Sequence, residues 1–315
     1  MPLIFTGGVN LIGAVQATGA GYVPPPPTYS AKAIFGYGMQ SGGSYVSITN
    51  LVTTTGIVGN DVTGVGTARE GSAATGYGTD KAIFGYGYST GATAITNLVS
   101  NTGVVATDTA GVGTARFLLA AATYGTDKAI FGYGAPDRSM TNLVSNAGVV
   151  ATDTAGVGTG RQALAAAGYG TDKAIFGYGN DPYGVGNVSM TNKVSNTGVV
   201  ATDTTGVGTA RNYLSAAGYG TDKAIFSYGS GGYVTNLVSN TGVVATNTTG
   251  VGTDRFRFAA AGYGVDTAIF GYGTTNGNDY LSMTNKVSNT GVVATDTTGV
   301  GTARQRLSAA SYGLA

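Results

Sequence analysis

The 315-residue chain carries sixteen Lys or Arg and fifteen Asp or Glu, so its net charge of +1 gives no overall attraction to nucleic acid or to an anionic membrane. It has no Cys and no His, which excludes disulfides, zinc sites built on imidazole and Ser-His-Asp triads. With 55 Gly and only 10% charged residues, the composition favours strands and turns, and we predict an all-β protein.

Residues 1–29 differ from everything that follows. They are apolar, lack the basic start of a secretory signal, and contain no run of about eighteen apolar residues that could span a membrane. Four prolines, Pro24–Pro27, form a stiff spacer near their end. We interpret residues 1–29 as an attachment or oligomerisation segment, followed by a domain of residues 30–315.

A nine-residue motif then recurs six times. It reads SAKAIFGYG at Ser30, TDKAIFGYG at Thr79, Thr126 and Thr171, TDKAIFSYG at Thr221 and VDTAIFGYG at Val265. Counted from the third residue of each copy, the spacings are 49, 47, 45, 50 and 44 residues. A period near 45 is typical of a propeller blade or a solenoid repeat.

Each repeat contains four strand-like pieces, as the second copy illustrates. The pieces are Ala82–Gly87, Ala94–Asn101, Gly103–Gly111 and Phe117–Gly125. Gly, Asn or Asp stands at every junction, the pattern of successive antiparallel hairpins. Four short strands per repeat correspond to one blade, with the Ala-rich piece innermost and the Ile-Phe piece second.

The phase of the repeat predicts how the domain closes. The chain enters at a second strand, Lys32–Gly38, and leaves on an inner strand, Arg304–Gly313. The C-terminal strand would therefore pair with the N-terminal strands and complete a sixth blade, which leaves no free sheet edge. We predict a six-bladed β-propeller of four-stranded blades rather than an open solenoid.

The stretch TARFLLAAATYGTDKAIFGYG, Thr114–Gly134, resembles the kelch repeat. The middle strands ITNLVTTTG, Ile48–Gly56, and MTNLVSNAG, Met140–Gly148, are similar to those of kelch-like arrays in tailed-phage virion proteins. The resemblance covers residues 30–313, although this chain has Gly-Tyr-Gly in place of a Gly-Gly doublet and no Trp. It implies a propeller in a phage virion, made in the host cytoplasm, and argues against a eukaryotic kelch adaptor.

Two sets of charged residues recur in every blade. A repeated Arg could form a ring of cations for an anionic ligand, but we favour a structural role in which it ties blades together through backbone carbonyls, as in kelch repeats. The repeated Asp residues occur singly, and Asn247 replaces one of them, so we predict turn caps rather than calcium ligands. No metal and no cofactor are expected. The acids outside the repeat pattern are dispersed, so we predict that the protein is not an enzyme.

The copies differ mainly in two places: the connection between the second and third strands, and the three residues after the repeated Arg. In an up-and-down blade both emerge on one face, whereas the GTDK hairpins and SNTG turns make the opposite face uniform. Variable loops on a constant scaffold are typical of a recognition surface. The candidate ligand-binding residues are Tyr45, Tyr88, Asp137, Arg138, Asp181, Tyr183, Tyr233, Asn276, Asp279 and Tyr280 in the connections, and Phe117, Asn212, Arg257 and Arg306 after the Arg.

These observations predict a non-enzymatic virion protein, such as a tail fibre or spike, whose variable face binds a glycan or protein on the host surface. Residues 1–29 would bind other virion proteins, and a homo-oligomer is compatible with this role; neither nucleic acid nor membrane insertion is expected. Two alternatives remain open: a purely structural capsid decoration or tail component, and an extracellular cellular lectin or adhesion propeller. Loops that vary only by drift would fit the structural alternative.

Overall fold

A computed structural model describes residues 30–136 and 138–313. The predicted attachment segment 1–29 lies outside the described residues, as do Asp137 and the last two residues. Within the described ranges the chain forms 23 strands and no helix, which confirms the prediction of an all-β protein. Accordingly, these ranges contain no apolar helix long enough to cross a membrane.

The strands are short and follow one another at regular intervals. In chain order they are β1 (Lys32–Gly36), β2 (Met39–Gln40), β3 (Thr49–Val52), β4 (Ala73–Tyr77), β5 (Lys81–Tyr88), β6 (Ala92–Val99), β7 (Ala120–Tyr124), β8 (Lys128–Gly132), β9 (Thr141–Val144), β10 (Ala165–Tyr169), β11 (Lys173–Gly177), β12 (Asn180–Asp181), β13 (Gly186–Asn187), β14 (Thr191–Val194), β15 (Ser215–Tyr219), β16 (Lys223–Ser227), β17 (Val234–Val238), β18 (Thr248–Thr249), β19 (Ala259–Tyr263), β20 (Thr267–Thr274), β21 (Tyr280–Val287), β22 (Arg304–Gln305) and β23 (Ser308–Tyr312).

Six antiparallel sheets of three or four strands share one plan. In each, a strand with the Ala-Ile-Phe motif lies between an Ala-rich strand and a strand that contains Thr-Asn. Five sheets are β4-β5-β6, β7-β8-β9, β10-β11-β14, β15-β16-β17-β18 and β19-β20-β21. The sixth joins the two ends of the described chain: β23 pairs with β1, and Lys32 lies opposite Tyr312. This is the pairing that the phase of the repeat predicts.

The piece Gly103–Gly111 of the second copy and its equivalents, which form the fourth piece counted outward from the Ala-rich strand, do not form the continuous strand that the sequence predicts. Each bridges the third strand at two points only, such as Thr96 with Thr109 and Val99 with Val105, and only β18 is assigned as a strand. The third strand advances three residues between these bridges while its partner advances four, so one extra residue bulges out. The Asn97 side chain donates to the carbonyl of Ala106 at 3.0 Å within this interval. The Asn97 amide thus bonds a carbonyl that would accept a backbone amide in a regular β-ladder.

The repeated arginines are fully buried, at 0% exposure: Arg69, Arg116, Arg161, Arg211, Arg255 and Arg304. Arg69 shows the pattern. Its Nε donates to the carbonyl of Tyr86 at 2.8 Å, and its guanidinium lies 4.1 Å from the ring centroid of Tyr37 in the neighbouring sheet. Bonds to backbone carbonyls are present, but the Tyr86 carbonyl belongs to the sheet that Arg69 leads into, so the prediction that carbonyl bonds tie blades together is wrong; the contact with the neighbouring sheet is made by the Tyr37 ring. The alternative, a ring of cations open to an anion, is wrong because these side chains face no solvent.

The repeated Asp of the fourth piece holds the connection from the preceding sheet against its own sheet. Asp108 accepts hydrogen bonds from the amide and hydroxyl of Thr67, at 3.0 and 2.6 Å, and from Asn97. Thr67 lies 41 residues earlier, in the connection from the preceding sheet, so Asp108 caps another repeat rather than its own turn. Burial opposes ionisation of Asp108, but these bonds outweigh burial and lower its pKa.

Neighbouring sheets pack through a repeated aromatic pair. Tyr37 of the first Gly-Tyr-Gly meets Phe84 of the next sheet, with ring centroids 5.0 Å apart and the planes at 62°. The same contact occurs in the pairs Tyr86–Phe131, Tyr133–Phe176, Tyr178–Phe226, Tyr228–Phe270 and Tyr272–Phe35. The last pair joins the final sheet to the first. The Ala-rich strands also pack side by side, and β23 contacts both β19 and β4.

Candidate binding surface

In each sheet, the variable segment after the Arg of one repeat is hydrogen-bonded to the variable connection of the next repeat. The amide of Glu70 donates to the carbonyl of Tyr88 at 3.0 Å, and the amide of Tyr88 donates back at 2.8 Å. Equivalent bridges join Phe117 to Ala135, Gln162 to Asn180, Asn212 to Ser230, Phe256 to Thr274 and Gln305 to Met39. We call these paired segments the variable rim. The prediction that the two variable regions meet in space is confirmed.

The middle residues of the segments after the repeated Arg form a cycle of backbone hydrogen bonds. Each amide donates to the carbonyl of the equivalent residue in the preceding repeat, and Gly71 donates to Arg306, at 2.7–2.9 Å. All six residues have φ between 51° and 59°: Gly71, Leu118, Ala163, Tyr213, Arg257 and Arg306. The main chain thus fixes the backbone here, whatever side chain each position carries.

A cavity of about 110 Å³ lies beside this cycle. It is lined by the cycle residues and by Leu, Ser and Ala side chains at the start of the Ala-rich strands, so its lining combines polar and apolar groups. A second cavity, of about 280 Å³, lies at the other end of the same strands, beside the GTDK hairpins. The first cavity is bordered by the variable segments after the repeated Arg.

Three candidate aromatic residues form a row along the variable rim. The ring of Tyr88 lies 5.2 Å from that of Phe117 and 6.3 Å from that of Tyr45. These residues come from three successive repeats, and each is half-buried. The row presents ring surface, which suits stacking against a planar or apolar ligand face.

The longest connection forms a hairpin of β12 and β13. At its tip Tyr183 is 85% exposed and Val185 is 81% exposed, while Asp181 pairs with Gly186 in the hairpin. Arg138, in another connection, is also exposed. Asp137, a further candidate, lies outside the described residues. The structure therefore offers Tyr183 and Arg138 most openly to a partner.

Four other candidates already have partners within the protein. The ring of Tyr233 lies 5.2 Å from that of Tyr228, and its hydroxyl donates to the carbonyl of Gly252. Asn276 donates to Asp279 at 2.7 Å, and its Oδ1 accepts backbone amides of the same turn. Tyr280 is half-buried in β21, opposite Thr274. These positions stabilise their connections, so they are poorer candidates than sequence alone implies.

A cluster of charged groups borders the smaller cavity. Arg306 Nη1 pairs with Glu70 Oε1, and Arg257 Nη1 donates to the side chain of Gln305 at 3.2 Å. The Arg257 guanidinium lies 4.7 Å from the ring centroid of Tyr213. Burial, and next the charge of Arg306, lower the pKa of Arg257. The two cations therefore lie close together, and the Glu70 carboxylate pairs with Arg306.

The polar groups of this cluster are incompletely satisfied. Among the described residues, four of its buried atoms have no hydrogen-bond partner: Glu70 Oε2, Arg257 Nε, Arg306 Nε and, close by, Asn212 Oδ1. Buried polar atoms usually have partners, so their concentration at one place distinguishes this part of the rim.

The sequence-based candidates include Arg257, Arg306 and Asn212 but omit Glu70, Tyr213 and Gln305. All three omitted residues belong to the variable segments after the repeated Arg, and this position was the feature of the sequence that could have identified them as candidates. What the sequence does not reveal is that they converge: Glu70 and Arg306 lie 236 residues apart along the chain.

The described residues contain no group of three or more acidic side chains placed to hold a metal ion. The variable rim presents aromatic rings, guanidinium groups and amides, all of which are groups that can bind a ligand. No protein-family model matches the chain, and no curated protein sequence matches it.

Proposed function

We propose that the protein is a non-enzymatic virion appendage, such as a tail fibre or spike, and that its variable rim binds the host surface. In this proposal the six sheets are the blades of a closed β-propeller. The pairing of β23 with β1, the Tyr272–Phe35 contact and the returning cycle of backbone bonds support that arrangement. The resemblance of the repeat to kelch-like arrays of phage virion proteins supports its placement in a virion.

One observation carries the proposal: the repeats differ where the two variable segments meet and agree at the other end. At the uniform end Asn101 donates to Asp80 at 3.1 Å, and the same Asn–Asp bond recurs in other repeats. Glycines there pack against Tyr of another repeat, as Gly148 does against Tyr77. Those contacts restrict the sequence of the uniform end, whereas main-chain bonds hold the rim and leave its side chains free to serve recognition.

Residues 1–29 would attach the domain to other virion proteins, directly or as an oligomer. A purely structural capsid or tail component and an extracellular lectin are the competing proposals. Mass spectrometry of purified particles separates the lectin from both virion proposals, because only the latter place the chain in the particle. Binding to host cells then separates recognition from a structural role.

The recognition proposal is tested by replacing the most exposed rim aromatic. We expect Tyr183→Ala to weaken binding of the purified protein to host cells by about thirtyfold, since loss of an aromatic anchor commonly costs about 2 kcal/mol. Its exposure of 85% means that folding is unaffected. The matched control is Asn101→Ala at the uniform end, which lowers thermal stability slightly and leaves cell binding intact. The proposal fails if the control abolishes binding and Tyr183→Ala does not.

A further inference from the structure

The mouth of the 110 Å³ cavity is asymmetric. Going around the backbone cycle, Gly71, Leu118 and Ala163 are followed by Tyr213, Arg257 and Arg306. One half of the mouth is therefore apolar and the other half carries an aromatic ring and two guanidinium groups. Six equivalent backbone positions thus provide one polar side and one apolar side.

The charges on the polar side do not balance. Glu70 neutralises one cation through its contact with Arg306, while the hydrogen-bond partner of Arg257 is the neutral Gln305. The cluster of Glu70, Arg257 and Arg306 therefore carries one excess positive charge. Guanidinium groups bind carboxylates and phosphates well, and a single negative charge matches this excess better than a phosphate dianion does.

The dimensions restrict the ligand further. A cavity of about 10–15 Å³ holds one water molecule, so 110 Å³ accommodates a group of several non-hydrogen atoms but no oligosaccharide. The Tyr213 ring, which is only partly buried, lies beside the charged groups. A terminal sugar that carries a carboxylate has both features: a compact anionic group and a ring with an apolar face.

We propose that the cavity mouth binds the carboxylate of an acidic sugar residue, with Arg257 and Arg306 as its anion partners and Tyr213 against the sugar ring. This inference rests on the proposed function, because it names the class of host glycan that the rim recognises. Glu70 then acts as an internal competitor for Arg306, and the ligand carboxylate supplies the second negative charge that the cluster lacks.

The test uses saturation-transfer NMR and calorimetry on the full chain with three sugars, N-acetylneuraminate, D-glucuronate and neutral D-glucose, and calorimetry with inorganic phosphate as a fourth probe. We expect at least one acid to bind and glucose to bind at least tenfold more weakly. Arg257→Ala reproduces the residue found at Ala163, and Arg306→Leu reproduces Leu118, so both backbones are compatible with the cycle. Each substitution is expected to weaken binding of the acid at least tenfold.

A substitution that is expected to increase the affinity for the acid provides a test that misfolding cannot mimic, because a misfolded protein would bind the acid more weakly. Glu70→Gln keeps an oxygen for Arg306 and removes the competing charge, so affinity for the acid is expected to rise severalfold. The matched cation control, Lys128→Ala at the uniform end, leaves it unchanged. The inference is overturned if neither acid binds, if glucose or inorganic phosphate binds as well as the acids, or if Glu70→Gln weakens binding. If neither acid binds while host-cell binding still depends on Tyr183, this inference fails and the proposed function stands; if Tyr183→Ala leaves host-cell binding unchanged, the proposed function itself fails.

Discussion

One repeat breaks the packing pattern, and reverting a single residue is expected to repair it. Ser227 occupies the position that is Gly in the other five copies of the motif. At those glycines an added Cβ would lie 2.6–2.8 Å from a Phe ring of the next sheet, as at Gly177 against Phe226. Beside Ser227 the Tyr228–Phe270 centroids are 6.0 Å apart, against 5.0–5.2 Å elsewhere.

The displacement extends to the buried arginine of that repeat. The Arg255 guanidinium lies 5.6 Å from the Tyr228 ring, against 4.1–4.4 Å for the other five pairs. Its Nε and Nη1 have no hydrogen-bond partner among the described residues, and the Ser227 hydroxyl is also buried without one. Removing an unsatisfied hydroxyl gains about 1–3 kcal/mol, and one recovered Arg bond about 1.5 kcal/mol. The added flexibility of Gly costs about 0.5–1 kcal/mol.

We therefore expect Ser227→Gly to stabilise the protein by about 2 kcal/mol and to raise its melting temperature by about 4 °C. Urea and thermal unfolding followed by Tyr fluorescence measure this, since the chain has 20 Tyr and no Trp. Gly177→Ser, the converse change, is expected to destabilise by a similar amount. Phe258, which also packs against Tyr228, is the rival cause of the displacement. If Phe258→Leu stabilises the protein and Ser227→Gly does not, the reasoning is refuted.

Two further predictions concern stability. The pKa values of five repeated Asp residues are lowered: Asp61, Asp108, Asp153, Asp203 and Asp296. The stability that they contribute is therefore present above about pH 4 and is lost as the pH falls through their lowered values. We expect Asp108→Asn, which copies Asn247, to reduce the dependence of the melting temperature on pH in the acid range, and an unchanged dependence would contradict the assignment. Deleting Arg304–Ala315 removes β23 from β1 and should abolish cooperative unfolding of the whole domain; a truncated protein that melts like the full chain would show that this pairing does not close the structure.

The sequence alone was sufficient to predict the structural features that recur in all six repeats. The Ala-Ile-Phe strand, its two partners and the pairing of the chain ends all follow from the period and phase of the repeat. Repetition works as an internal alignment, because a residue required in every copy reports a structural need. The buried role of the repeated Arg, favoured on this ground, agrees with its complete burial.

Features that depend on long-range contacts were not predictable in the same way. The fourth piece alternates like a strand, yet Asn97 and one inserted residue interrupt its ladder. Asp108 looks like a local turn cap, whereas its partner Thr67 belongs to another repeat. At the candidate site, sequence variation located the rim correctly. It could not show that Tyr233 is engaged by Gly252, or that Glu70 faces Arg306.

Backbone strain gives a separate argument that the side chains of the rim matter. Residues with left-handed backbone cost about 1–3 kcal/mol each unless they are Gly, and five of the six cycle positions are not Gly. Left-handed residues elsewhere form two sets, each with one identity and a recurring contact: the Tyr37 hydroxyl and its equivalents donate to a Val carbonyl, and the Thr79 hydroxyl and its equivalents donate to the carbonyl of the preceding Gly. In the cycle, by contrast, the identity changes from Leu to Ala, Tyr and Arg while the backbone bond stays the same. A shared structural contact therefore cannot account for these side chains. Gly would adopt this backbone conformation at a lower cost. The remaining reason for a larger residue at these positions is the side chain that it presents to the cavity and to solvent.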